Sequence, residues 1–362
     1  MARAAQAIID LHAIRENYQE AKRKAPSSKA FAVVKANAYG HGLLQVAQAL
    51  VETADGFAVA CVEEAQVLRQ GQIESPILVL EGVMEANEYA EVCRLELEVG
   101  IHNQLQLDWL RQSAQKPKCV HIKVDTGMHR LGFALEQVPS VASELRQLGI
   151  DKIELMSHFA CADEAENPLN AQQLTRVQTL APMNLPMSLC NSAGIFSFSQ
   201  AHYQMVRPGI MLFGGSPLLD KSAHELNLLP AMTLQSNVIA IHDIKAGESV
   251  GYGQGFVAQQ TTRIAVVAIG YGDGYPRGAK NGTPVLIKGK QYPLVGRVSM
   301  DMITVDISGS ESENAPVELG DMATLWGTGL SADVVAKHCD TISYELFCQV
   351  TNRVHKRYLG AK

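Results

Sequence analysis

No stretch of the 362-residue sequence approaches the roughly 18 consecutive apolar residues that a membrane helix needs, so no span is expected. The first ten residues reach an acid at Asp10 without a long apolar run or a small-residue cleavage site, so no signal peptide is expected either. Seven cysteines, an odd number, include no C-x-x-C pair that could hold zinc or run disulfide exchange, and buried thiols in a reducing cytosol are the simplest reading. Basic blocks are missing as well. Lys and Arg number 31 against 37 Asp and Glu, a net charge of −6, which argues against nucleic acid or an anionic membrane as the main partner and for a small molecule. There is no internal repeat or low-complexity segment, and residues 308–314 are merely a polar loop. The expectation is a cytoplasmic globular protein with no metal site.

What is present is ample core material. With 47% hydrophobic and 19% charged residues the chain is not disordered, and 362 residues exceed what one core usually organises, so two domains are expected. Short β-branched runs at 31–35, 57–61, 77–80, 98–101, 119–124, 152–158, 187–190 and 204–207 alternate with helix-favouring stretches, among them 43–53, 63–70, 104–114, 138–148 and 170–180. Eight strands in this rhythm predict a closed parallel (β/α)8 barrel over 11–228. An open doubly wound sheet would use fewer strands and a G-x-G-x-x-G after the first, and none is there. From 229 to 362 the texture changes to Val- and Ile-rich strands with Gly turns, at 233–241, 263–269, 284–287, 291–298, 302–307 and 322–326, closed by helices at 332–338 and 344–349. This reads as a mainly β domain, against which residues 1–10 are candidates to pack.

Catalytic groups of such a barrel sit at the C-terminal strand ends and in the loops that follow. Applied here, the rule collects Lys35, the segment Lys123 to Arg130, His158, Asn191-Ser192 and Arg207-Pro208-Gly209 on one rim. A lysine at the end of a buried strand loses charge by desolvation and becomes a nucleophilic amine suited to a Schiff base. The competing reading, a strand-end lysine reaching solvent, is weakened by the neighbouring Tyr39, His41 and glycines, which are what an anionic cofactor needs. Strand five places His121, Lys123 and Asp125 on one face, a polar row that must be paired if it points inward. Arg130 is a fixed fork for a carboxylate or phenolate oxygen. Ser192 and Gly209 at the ends of strands seven and eight, with a lysine on strand one, describe a phosphate-anchored aldehyde cofactor, pyridoxal 5'-phosphate. In the second domain, glycine flanks leave Tyr252 and Tyr271 accessible, as an acid or base must be, although either alone could be an ordinary turn tyrosine.

With Val34-Lys35-Ala36-Asn37-Ala38-Tyr39-Gly40-His41-Gly42 in place, the chain resembles the bacterial alanine racemases, the fold type III class of pyridoxal phosphate enzymes, over essentially its full length. Lys123 to Gly132, Asn191-Ser192-Ala193, Arg207-Pro208-Gly209-Ile210, Gly251-Tyr252-Gly253, Ile269 to Tyr275, Ser299-Met300-Asp301 and Ile342 to Glu345 support the resemblance. It implies interconversion of L- and D-alanine, for peptidoglycan precursors or alanine catabolism, with Lys35 carrying the cofactor and serving as base on the D-alanine face and Tyr252 as base on the L-alanine face. It also implies that Arg130 orients Tyr252 and the cofactor phenolate, that His158 lies near the ring, that Asn191 binds the cofactor, and that Arg207 faces the pyridine nitrogen. Tyr39, Ser192, Gly209, Ile210 and Tyr344 would hold the phosphate, and Met300 would contact substrate through its backbone. Tyr252, Tyr271, Met300 and Asp301 would enter from the second subunit of a homodimer, and Lys123 would be carbamylated to pair with Arg130. Three alternatives compete with this reading. A broad-specificity racemase acting on serine is typically exported. A decarboxylase of the same fold would show a Gly-rich phosphate triplet. A non-catalytic pyridoxal phosphate carrier would have no use for 229–362.

Overall fold

The computed structural model describes residues 4–310 and 316–361; of the polar loop expected at 308–314, positions 311–314 lie outside the described residues. The chain divides into two compact units. One comprises residues 14–212 and 216–228, the other the N-terminal residues through Ala13 together with 213–215 and the chain from Leu229 onward.

The first strand, β1 (Gln6–Asp10), belongs to the second unit. The barrel unit begins within the helix Leu11–Lys24, and eight parallel strands close on themselves in sequence order: β2 (Lys29–Val33), β3 (Gly56–Val59), β4 (Ile77–Val79), β5 (Glu98–Ile101), β6 (Cys119–Lys123), β7 (Lys152–Met156), β8 (Met187–Ser188) and β9 (Met205–Val206). β9 pairs back onto β2, with Lys29 opposite Met205. Most of these strands are buried on both faces, which is why they read as continuous apolar runs: Gly56–Val59, Ile77–Val79 and Glu98–Ile101 contain no exposed residue. The expected (β/α)8 barrel is therefore present, with strands shorter at their C-terminal ends than the apolar runs suggest. Lys35, His158 and Arg207 lie just beyond their strands rather than on them.

In the second unit β10 (Met232–Ile244) is the organising strand. It pairs with β1, and further along with β13 (Thr262–Val267) and β17 (Met322–Trp326), all antiparallel. The hairpin β11 (Ser249–Val250) and β12 (Phe256–Val257) stands apart, β14 (Pro284–Ile287) and β15 (Lys290–Pro293) extend the sheet beyond β17, and β16 (Ile303–Asp306) pairs with β13. The last strand, β18 (His355–Leu359), runs parallel to β1, with Gln6 opposite His355. Alternation of buried and part-buried residues along Met232–Val238 marks a half-covered antiparallel strand. Trp326 and Tyr275, both fully buried, stack at 6.2 Å in this unit's core. The run expected at 291–298 is strand only to Pro293. Among the described residues no helix is long and apolar enough to cross a membrane.

Of the expected polar row, His121 and Lys123 lie on β6, the first fully buried and paired, while Asp125 lies beyond the strand and pairs with the exposed His129 at 2.8 Å. His121 is fully buried with Nε2 2.8 Å from Glu98 Oε2, and Lys152 Nζ lies 2.7 Å from Glu98 Oε1. Cys119 joins them, so one donor atom each from Glu98, Cys119 and His121 lies within 4.8 Å of the others. Metal-ligand chemistry is in range, but Lys152 Nζ lies against Glu98 and 3.6 Å from Glu154, and His121 Nδ1 is 3.8 Å from Glu154, so the cluster reads as an ion network in which one cation serves two carboxylates. Burial alone would raise the Glu98 carboxyl; His121 and Lys152 overcome it and hold it at about 2, against 4.5 for an ordinary glutamate. A folded value below the unfolded one means this stability is fully present above pH 4.5 and is lost as pH falls toward 2, about 3 kcal/mol in all. Urea unfolding between about pH 5 and about pH 3 is expected to show a steeper stability loss in the parent than in Glu98→Gln; parallel curves would contradict the pairing.

Candidate active site

Lys35 opens the short turn Lys35–Tyr39 directly after β2. Its four successors, Ala36, Asn37, Ala38 and Tyr39, have φ of 52°, 54°, 52° and 50°, a left-handed stretch without a single glycine. Such a conformation costs roughly 1–2 kcal/mol per residue, so the surroundings must hold it. Asn37 contributes by accepting the Leu43 N–H through Oδ1 at 2.8 Å, and the Gly40 and Gly42 amides close onto the Ala36 and Asn37 carbonyls at 3.0 and 2.9 Å. Gly40 and Gly42, at φ 79° and 103°, carry the chain out of the turn, so their service is to the backbone.

Around Lys35 the rim is cationic. Lys123 is pushed down to about 8, first by burial and then by Arg207 and Arg130, with Lys35 adding to them and Glu81 the one carboxylate opposing. His158 is driven well below its ordinary value by burial and then by Arg207, Arg130, Lys123 and Lys35, so it is a neutral imidazole at pH 7; Asn191 Nδ2 stands 3.3 Å from its Nε2. Arg207 is buried, and burial brings it down to about 10. Its guanidinium donates to Ser188 Oγ and to the Ser157 carbonyl, and its Nη2 lies 3.5 Å from His158 Nδ1. None of these partners carries a charge, so the cation is solvated by dipoles and not neutralised. Four cations outnumber the carboxylates near them, Glu81 and Glu64, so the site favours an anion.

The ends of β8 and β9 supply a cradle for one. Asn191 caps the helix Ser192–Ser197 by accepting the Gly194 N–H at 3.0 Å, which sets Ser192 in its first turn. Ser192 Oγ accepts the Gly209 N–H at 2.8 Å, leaving its own proton to donate. The Gly209 amide is therefore spent on Ser192 and is not aimed at a ligand; the glycine is needed for space, since a Cβ there would stand 2.7 Å from Tyr39 Oη. Tyr39, Ser192 and Gly209 thus meet, with Ile210 opening the next short turn, Ile210–Phe213. Two hydroxyl donors beside a surplus of positive charge suit a phosphate ester, and Lys35 suits the aldehyde of pyridoxal phosphate.

In the β unit, Tyr252 stands in the turn Tyr252–Gln254 between Gly251 (φ 69°) and Gly253 (φ 66°), and is 74% exposed. Tyr271 and Met300 share a second feature of this unit: the Tyr271 N–H donates to the Ser299 carbonyl at 3.0 Å and the Gly272 N–H to the Met300 carbonyl at 2.9 Å. The Met300 carbonyl is thus occupied in the chain itself. Tyr344 lies in the helix Ser343–Gln349.

The alanine racemase N-terminal domain family matches residues 9–217 and its C-terminal domain family residues 231–358. The chain belongs to the alanine racemase family. The alanine racemase of Stutzerimonas stutzeri is 47% identical over 359 residues, covering 98% of this chain and 99% of its own. The crystal structure of the biosynthetic alanine racemase from Pseudomonas aeruginosa superposes with a TM-score of 0.95 at 48% identity, covering 99% of both chains. That of the Bartonella henselae alanine racemase with covalently bound pyridoxal phosphate gives 0.88 at 29% identity, covering 98% of this chain and 99% of that one.

Arg353, which no local sequence pattern marks, links loops of the second unit. Arg353 lies with Nε 3.4 Å from the fully buried Asp273 and Nη2 2.5 Å from Asp301, and its guanidinium fills the space where a Cβ on Gly272 would go. Its partners are 80 and 52 positions away along the chain, as 353 − 273 and 353 − 301 give, so no local pattern announces it.

Proposed function

We propose that this protein interconverts L- and D-alanine by a two-base mechanism with pyridoxal 5'-phosphate, supplying D-alanine in the cytoplasm as a homodimer with shared sites. The observation that carries the reading is the rim around Lys35, where cations outnumber carboxylates, beside the Tyr39–Ser192–Gly209 cradle. When bound, the cofactor supplies an electron sink that acidifies the Cα hydrogen of an attached amino acid.

Lys35 would hold the cofactor covalently, and its Nζ would take and return the proton on the D-alanine face. Tyr252 Oη would do the same on the L-alanine face, since inversion requires a proton removed from one side and delivered on the other. Tyr39, Ser192, Ile210 and Tyr344 would hold the phosphate, with Gly209 leaving room for the Tyr39 hydroxyl, while His158 and Asn191 position the ring. Arg207, still charged at neutral pH, would face the pyridine nitrogen without giving up a proton, which keeps the electron sink weak and the chemistry confined to Cα. A phenol is mostly protonated at pH 7, so a tyrosine base calls for a cationic neighbour. Arg130 fills that role; His158 does not, because its neighbours keep it neutral. Tyr252, Tyr271, Met300 and Asp301 would come from the second subunit.

With a value of about 8, roughly a tenth of Lys123 is free amine at pH 7, far more than for an ordinary lysine, and the free amine is the form that takes up carbon dioxide. Carbamylation would turn one of the four cations into an anion facing Arg130 and Arg207. Crystals grown with bicarbonate are expected to show carbamate density on Lys123; density ending at a bare ammonium would count against it.

The function is tested by incubating the purified yellow protein with L-alanine and with L-serine. Loss of optical rotation with alanine and far slower loss with serine is expected. Release of carbon dioxide without racemisation would overturn the reading in favour of a decarboxylase.

A further inference from the structure

We propose that Glu64 is a positioning residue for Lys35, tying the backbone that carries the lysine to the neighbouring barrel strand. Glu64 is the third residue of the helix Val62–Gln70, which follows β3. A glutamate there ordinarily reaches back to the amides of its own helix start, and one of its oxygens does so: Oε2 accepts the Ala60 N–H at 2.8 Å. The other oxygen leaves the helix altogether. Oε1 accepts the Ala36 N–H at 2.7 Å, across 28 positions of sequence.

That amide belongs to the peptide unit joined to the Lys35 carbonyl, so the bond fixes ψ of Lys35 and with it the direction in which the side chain leaves the rim. It also fastens the first residue of the left-handed stretch 36–39, whose four non-glycine residues would relax toward right-handed geometry if released. Asn37 holds the far side of the turn through Leu43, but no other side chain among the described residues accepts the Ala36 N–H. A charged acceptor suits the task because hydrogen bonds to a carboxylate are about twice as strong as neutral ones. Glu63 beside it is exposed, and no hydrogen bond joins it to the turn. An ordinary helix cap would need only the Ala60 bond; the Ala36 bond is the one a positioning role requires.

The inference rests on the proposed role of Lys35, and its test separates the two. Glu64→Gln keeps the shape but sets an amide group against two N–H donors, and Glu64→Asp keeps the charge but is one methylene too short to span both. Amide hydrogen exchange at Ala36 and Ala60 is followed with and without cofactor, together with melting temperature, kcat and KM for alanine, and the pH midpoint of the visible absorbance of the lysine-bound cofactor. The expected result for both variants is exchange at Ala36 faster by about tenfold or more, a kcat lower by about ten- to a hundredfold with KM changed by less than about threefold, and a displaced absorbance midpoint. An unchanged Ala36 exchange rate, an unchanged absorbance midpoint, or a kcat loss that only tracks the loss of folded protein would overturn it. If the parent does not racemise alanine the functional reading fails, while exchange and absorbance still judge Glu64.

Discussion

Lys35→Ala is expected to give a folded protein whose racemase activity is at least about 10,000-fold lower, because one substitution removes both the covalent anchor of the cofactor and a base. Folding should survive. Lys35 is part-buried, makes no ion pair among the described residues, and stands before the left-handed stretch and not within it. It is also one of the cations that push Lys123 and His158 down, so its removal relieves repulsion. Compared with the parent stripped of cofactor, thermal stability should therefore hold or rise slightly and Lys123 should bind its proton more tightly; compared with the cofactor-bound parent it should be lower, by the stabilisation the bound cofactor lends the folded state. Lys35→Arg separates charge from nucleophilicity: it keeps the repulsion and is equally inactive. The pair is checked by activity, by the loss of the yellow colour after dialysis, and by thermal melting. An active Lys35→Arg would contradict a covalent role.

Tyr252→Phe is expected to lower racemisation by about 100- to 10,000-fold in both directions, the range for loss of a general acid–base group. The side chain is exposed and the change removes one oxygen, so stability should move by less than about 0.5 kcal/mol. The informative readout is asymmetric. Exchange of the Cα hydrogen of D-alanine with deuterated solvent should persist, since Lys35 serves that face, while exchange from L-alanine should collapse. Proton NMR of the two enantiomers in deuterated water measures both rates, and equal losses would remove the two-base assignment.

The barrel could be read from the sequence because its strands are buried on both faces, so apolar runs and helical stretches alternate with little interference. Its functional rim is legible from the rule about strand ends, which alone picks out Lys35, Lys123, His158, Asn191 and Arg207. The helix Leu11–Lys24 was missed although Leu11, Ile14, Tyr18 and Ala21 recur at helical spacing on its buried face, because Asn17 and Glu20 share that face and dilute the signal. So was β18, where His355–Leu359 mixes basic and apolar residues and the partner is β1 at the opposite end of the chain. The left-handed turn at 36–39 was invisible for a different reason: Ala, Asn, Ala and Tyr carry no glycine signal, and the conformation is imposed by contacts from outside the segment. Glu64 and Arg353 share that character, each acting through partners far away in sequence.

The central claim is that Lys35 and Tyr252 belong to one catalytic site completed by two copies of the chain. The most direct measurement mixes Lys35→Ala with Tyr252→Phe, allows subunits to exchange, and assays racemisation. Each variant alone is nearly inactive; a hybrid dimer holds one site with both defects and one with neither, so an equal mixture should recover about a quarter of the parental activity at random exchange, half the dimers being hybrid with one intact site each. No recovery, with exchange confirmed, would contradict the account.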